Sequence, residues 1–197
     1  MDIPGLWFSI VKKWEGDVGN RPSKEDSGGL TNHGVTIGTW KLMGAKIVGK
    51  PPTVEGLLSL TWDEASKIAQ VGFWTKNNIN KIRNSALRPI VADAFWMSGY
   101  HALPSLGYTS ISDLNKDIFA TPSKLYKKRL AWLKTLSNWP YNANGWTNRL
   151  NDILTVAKKI ATRNRLYIAG AGVTVAIGTT LLILHYRKKN NGIRKLT

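Results

Sequence analysis

Cysteine is absent from the 197 residues, which excludes disulfides and thiolate metal sites and leaves the redox compartment open. Histidine is scarce as well. His33 is the one histidine in its loop, and no second histidine or cysteine stands at ligand spacing from it, so the reading is no metal, with His33 structural or substrate-facing. No phosphate loop, dinucleotide fingerprint or nucleophile elbow occurs, and no cofactor is expected. Acidic residues are few and stop early. All 12 Asp and Glu lie within residues 1–157 beside 19 Lys and Arg, a balance of +7, whereas residues 158–197 hold nine Lys and Arg and no acid, a balance of +9. A nucleic-acid binder would be expected to carry its basic stripe on the folded domain. Here the densest charge brackets an apolar run, as at a membrane surface, so nucleic acid is not the expected partner.

What is present fits one compact domain with a core, plus an appendage. Nine tryptophans exceed what packing needs; most are expected in the core, the remainder as faces on which sugar rings can stack. Leu6, Trp7, Ile10, Val11 and Trp14 recur at helical spacing, with Asp2 to cap the helix and Pro4 in its first turn. Lys12 and Lys13 follow that short apolar run instead of preceding it, so it does not read as a signal peptide. A hairpin is expected within 30–36, a helix from Thr39 to about Ala45, and a break at Pro51 and Pro52. Thr61 with Glu64 forms a capping box opening a helix through Trp74; Arg88 and Pro89 open another, and Thr121 and Pro122 a third, through Leu136.

The stretch that carries chemistry is 14–40, WEGDVGNRPSKEDSGGLTNHGVTIGTW. It sets Glu15 at the end of an apolar helix, beside Trp14, and follows it with a polar loop containing Gly28 and Gly29. Apolar neighbours reduce a carboxylate's solvation and favour the protonated form that a general acid needs. Adjacent glycines let a backbone turn at positive φ or approach a ligand, and hydroxyl and amide side chains beside them orient a carboxylate or a sugar. Asp93 lies among apolar residues, so it is either a paired structural anchor or part of the site.

The segments WEG and DSGGLTNHGVTIGTW resemble the signature of glycoside hydrolase family 108, the muramidases of phages and bacteria. VADAFWMSGYHA (91–102) resembles the family's cleft helix, and NGWTNRLNDI (144–153) its closing motif. The resemblance spans about 1–153 and implies a mainly α, lysozyme-like α+β fold with a small β or loop excursion. It also implies that Glu15 is the catalytic acid, acting on the glycan strands of bacterial peptidoglycan between N-acetylmuramic acid and N-acetylglucosamine. Asp26, one residue short of the glycine pair, is the best candidate for the second carboxylate, with Asp17 and Glu25 as alternatives. Thr31, His33, Thr36, Asp93 and Trp96 are the candidate substrate-binding residues. The chain departs from the pattern at Asp17 and Val18, which replace a glycine and an aromatic, in a slightly longer spacer before Asp26, and in lacking the Asp-Gly and Gln-rich repeat between Gly107 and Phe119.

The expected organisation is a catalytic part at 1–85, a helical second half at 86–157 and a basic-flanked anchor at 158–197. Residues 166–184 form 19 positions without a charge, and Tyr167 and Tyr186 sit near the ends, so a transmembrane helix is expected at about 166–186. Gly170, Thr174 and Gly178 would let two such helices pack as a homo-oligomer. A single-pass, tail-anchored muramidase in the inner membrane of a host or of a membrane-containing virion is the expected placement. The rival readings are a lytic transglycosylase, which needs one acid/base and no hydrolytic water, and an inactive lysozyme-fold protein that binds wall or membrane.

Overall fold

A computed structural model describes residues 2–16, 18–19 and 29–193, with side chains through residue 166. The chain divides into two units, Met1–Lys159 and Ile160–Thr197. Among the described residues the first unit is built of helices around one two-stranded hairpin, a mainly α fold with a small β excursion.

The amino-terminal helix, Ile3–Trp14, starts as its sequence dictates. The Asp2 carboxylate accepts the Gly5 N–H at 2.9 Å, and proline occupies the first turn, where its missing N–H costs nothing. Lys12 and Lys13 sit in the last turn, where the helix dipole favours cations. Trp7 and Val11 face inward, and Glu15 caps the end with extended backbone, φ −91° and ψ 133°. The chain therefore leaves the helix at the candidate acid itself.

Thr31–Asn32 pairs antiparallel with Val35–Thr36, with Thr31 opposite Thr36 and Asn32 opposite Val35. The turn between them needs positive φ at both positions, supplied by His33 at 50° and Gly34 at 76°. The Asn32 amide, buried, donates to the carbonyls of Leu57, Leu58 and Leu60 and so fastens the hairpin to the chain that follows. The Thr36 hydroxyl caps the next helix by accepting the Thr39 N–H, which is why that helix begins before Thr39. It runs over 37–48 through a π-helical segment, Trp40–Gly44, and stops at Gly49, φ 76°. The capping box of Thr61 and Glu64 is present and opens Trp62–Ile68, which runs on through the π-helical Ala69–Thr75. The central helix, Arg88–Ser98, buries Pro89 through Ala94 on all sides. Pro122–Leu133, capped by Thr121, ends three residues before the expected Leu136, and the last helix is Trp139–Ile193.

Two apolar clusters make the core. One gathers Trp7, Val11, Trp74, Ile90, Val91, Leu125 and Ile153 around the central helix. The other gathers Val35, Trp40, Leu57, Leu60 and Ile68 behind the hairpin. Phe8, Phe73 and Trp96 pack against both, so Trp96 stands at their seam. Trp7, Trp40 and Trp74 are buried while the other six tryptophans keep part of their surface, fewer in the core than composition suggested.

Asp117 ties the segment 108–124 together. Lys124 and the Tyr108 hydroxyl donate to its carboxylate at 2.8 and 2.7 Å, and the Phe119 N–H adds a third bond. Lys124, then Tyr108, hold the Asp117 carboxyl down to about 2, and burial followed by Asp117 pushes the Tyr108 hydroxyl up. Because the folded pKa is the lower one, this contribution is fully present above the unfolded carboxyl's range and is lost as pH falls through about 2. Asp117→Asn is expected to lower the melting temperature by about 2 °C or more at pH 7 and to converge on the parent as the scan pH approaches 2.

Among the described residues no helix is long and apolar enough to cross a membrane. The anchor expected at 166–186 lies, beyond Leu166, outside the residues whose side chains are described.

Candidate active site

The Glu15 carboxylate, about a fifth exposed, has one oxygen fully engaged: Oε1 accepts the Trp96 indole N–H at 3.0 Å and Nη1 of Arg149 at 2.5 Å. Among the described residues no donor reaches Oε2. The ring set against Glu15 belongs to Trp96 on the central helix, whereas the Trp14 indole turns to Asp152, donating to Oδ2 at 2.7 Å.

Behind Glu15 lies a buried ionic layer. Arg149, 5% exposed, directs Nε and Nη2 at Oδ1 of Asp93, at 2.9 and 2.8 Å, while Nη1 serves Glu15. Asp93 is 4% exposed and so faces Arg149, not the solvent from which substrate arrives. Burial alone would lower the Arg149 pKa, but the carboxylates of Asp93 and Glu15 outweigh it and hold the guanidinium above its usual value. Arg129 is the second buried cation. It donates to Ser105 and Ser98 at 2.8 and 2.6 Å and lies 4.7 Å from the centre of the Trp132 ring. Burial brings it down to about 10 against the opposing pull of Asp93, with the neighbouring charge of Arg149 adding to the drop. Asp93 thus faces the charges of both guanidiniums and is hydrogen-bonded to one of them, and such pairing is how buried charges are tolerated out of water.

Next to it, Lys13 Nζ and Trp14 Nε1 both reach Asp152 Oδ2 at 2.7 Å. Residues 13, 14 and 15 are each held by one turn of the last helix, through Asp152 and Arg149. Gly34 packs on the other side. A Cβ there would lie 2.7 Å from Cγ and 2.8 Å from Cδ of Glu15 and 2.9 Å from Cζ2 of Trp96. His33, beside it in the turn, stacks on Trp62 at 4.1 Å, and Lys12 Nζ stands 5.4 Å from the same ring.

The other residues read from the sequence fall as follows. The Thr31 hydroxyl donates to the Gly19 carbonyl at 3.2 Å, and that of Thr36 is taken by Thr39. The Thr31 hydroxyl therefore ties the hairpin to Gly19, and the Thr36 hydroxyl caps the helix that follows. Asp17, Glu25 and Asp26 lie outside the described residues. Of the two candidates on the central helix, Trp96 bonds Glu15 and Asp93 bonds Arg149. Arg149 is not legible as a site residue in the sequence, although it lies in NGWTNRLNDI and a buried Asp93 needs a cation; the pairing spans 56 positions, and only the fold shows which of 28 basic residues supplies it.

Residues 8–99 match the sequence model of the family Glycosyl hydrolase 108. A solved structure, that of SagA from Brucella abortus, is similar over 80% of this chain and 94% of its own, with a TM-score of 0.58 and 22% identity, a likeness of fold. No curated protein matches the chain. Arg149 and Asp152 lie outside the matched stretch.

Proposed function

The chain carries a glycosyl hydrolase 108 region and is on that ground a glycoside hydrolase, and from this premise we propose that Glu15 is the acid with which it cleaves peptidoglycan strands between N-acetylmuramic acid and N-acetylglucosamine. The observation that carries the reading is the setting of the Glu15 carboxylate: Oε1 is fixed by two donors, no donor among the described residues reaches Oε2, and the group is partly open to solvent. Breaking a glycosidic bond requires a proton for the leaving oxygen as an oxocarbenium-like centre develops. Glu15 supplies the proton, and the ring stack of Trp62 and His33 lies one residue from Gly34, the residue packed on Glu15. Asp26 is the proposed second carboxylate, activating water or stabilising the developing cation.

The test is digestion of purified peptidoglycan with mass analysis of the released ends. Reducing muramic acid ends are expected. Anhydro ends would instead make the protein a lytic transglycosylase, and no release at all would leave an inactive lysozyme-like fold. Asp26→Asn should lower hydrolysis strongly, because hydrolysis needs that base and transglycosylation does not.

Placement at a membrane belongs to the same proposal. The support is the uncharged run 166–184, flanked by Arg163 and Arg165 on one side and Arg187, Lys188 and Lys189 on the other. With nearly equal charge on both flanks the positive-inside rule does not orient it, and a lipid-containing phage particle that digests the wall at entry would use such an enzyme. Deleting 166–197 should release a soluble, active domain that no longer enters particles; recovery of the full chain only from lysed cells would remove the virion from the proposal.

A further inference from the structure

We infer that the turn of the last helix bearing Arg149 and Asp152 is the positioning element of the active site, with Arg149 setting the catalytic carboxylate and Asp93 setting Arg149; this rests on Glu15 being the acid. Glu15 stands beyond the end of its own helix and is followed by Gly16, around whose Cβ position nothing lies within 4 Å. The local backbone therefore does little to select a rotamer for a side chain with three rotatable bonds. What selects it comes from elsewhere in the chain.

A guanidinium is planar, and its donors point in fixed directions. With Nε and Nη2 both committed to Asp93, the plane of Arg149 is fixed, and so is the direction in which Nη1 meets Oε1. The Trp96 N–H meets the same oxygen, so both donors act on Oε1, and no donor among the described residues acts on Oε2. Arg149 is buried, and bulk water does not replace it as a donor. Asp152 completes the element by holding Lys13 and Trp14, the two residues before Glu15. The stretch matching the hydrolase family ends at residue 99, fifty positions before Arg149, so that stretch contains the acid without the group that aims it.

Full-length variants test this. Removing Arg149 alone would strand a buried Asp93 charge and confuse folding with catalysis, so the informative change is the double variant Asp93→Asn with Arg149→Met, which leaves a neutral pair. It is expected to keep its melting transition and to lose about a hundredfold in kcat, with KM within about threefold, as displacement of a catalytic group by about 1 Å would give. Arg149→Lys keeps the buried charge but cannot serve two carboxylates with fixed geometry, and should lose about tenfold in kcat at similar KM. A folded double variant, or a folded Arg149→Lys, with kcat within about threefold of the parent overturns the inference. Glu15→Gln, run beside them, separates the two failures. Activity in that variant removes the acid and everything resting on it, whereas an inactive Glu15→Gln together with active Arg149 variants removes only the positioning role.

Discussion

Glu15→Gln is expected to lower peptidoglycan clearing by about a thousandfold or more while the helical content stays that of the parent, since general acid catalysis alone contributes roughly 10²–10⁴. Glutamine keeps the length and shape of the side chain, and its amide oxygen can still accept from Trp96 and Arg149 in the place of Oε1. Its amide nitrogen then takes the place of Oε2, and an amide has no acidic proton to give. The folded state loses part of a charge-assisted pair on a group that is about a fifth exposed, so a cost of about 1–2 kcal/mol is expected from the usual range for such bonds. Turbidity clearing of purified walls reads the first effect and circular dichroism with thermal melting the second. A variant that clears walls at the parental rate would take Glu15 out of the mechanism.

The parts of this fold that were legible in the sequence are those set by short-range chemistry. Asp2 and Pro4 start the first helix, Thr61 and Glu64 form the capping box they spell, and residues 31–36 fold into the hairpin their turn residues call for. Glu15 was legible as an acid left at a helix end. The groups that act on it were not, because their partnerships are made by folding: Trp96 is 81 positions away and Arg149 is 134. Proximity in sequence pointed to Trp14 as the shielding ring, yet an indole at the last position of that helix faces the last helix and finds Asp152. The π-helical segments were equally hidden. Trp40–Gly44 and Ala69–Thr75 read as ordinary helix, and each accommodates packing that periodicity does not encode: Trp40 donates to the Pro51 carbonyl at 3.2 Å, and Met43 closes on Gly72. Asp93 was poised between anchor and site residue because a buried carboxylate announces that it has a partner without saying which.

Gly34→Ala is expected to separate stability from catalysis, because the added methyl group would strike the side chain of Glu15, the proposed acid. Gly34 has φ 76°, in the left-handed region, where an L side chain costs about 1–2 kcal/mol. Gly49 has the same φ, and a Cβ there would meet nothing within 4 Å. Gly49→Ala therefore reports the backbone cost alone. At Gly34 the new Cβ would lie 2.7 Å from Glu15 Cγ and 2.9 Å from Trp96 Cζ2, and ordinary contact requires about 1 Å more. Trp96 is packed between the two core clusters and has little room to retreat, so Glu15 is the group that moves. Moving it draws Oε1 away from Arg149, and a displacement of about 1 Å costs roughly a hundredfold in rate. Both alanine variants should then melt a few degrees below the parent, at roughly 2–4 °C per kcal/mol for a chain of this size, with Gly34→Ala alone losing about a hundredfold in kcat. Equal activity in the two, with Gly34→Ala still folded, would mean that the position of Glu15 against the hairpin does not govern the reaction.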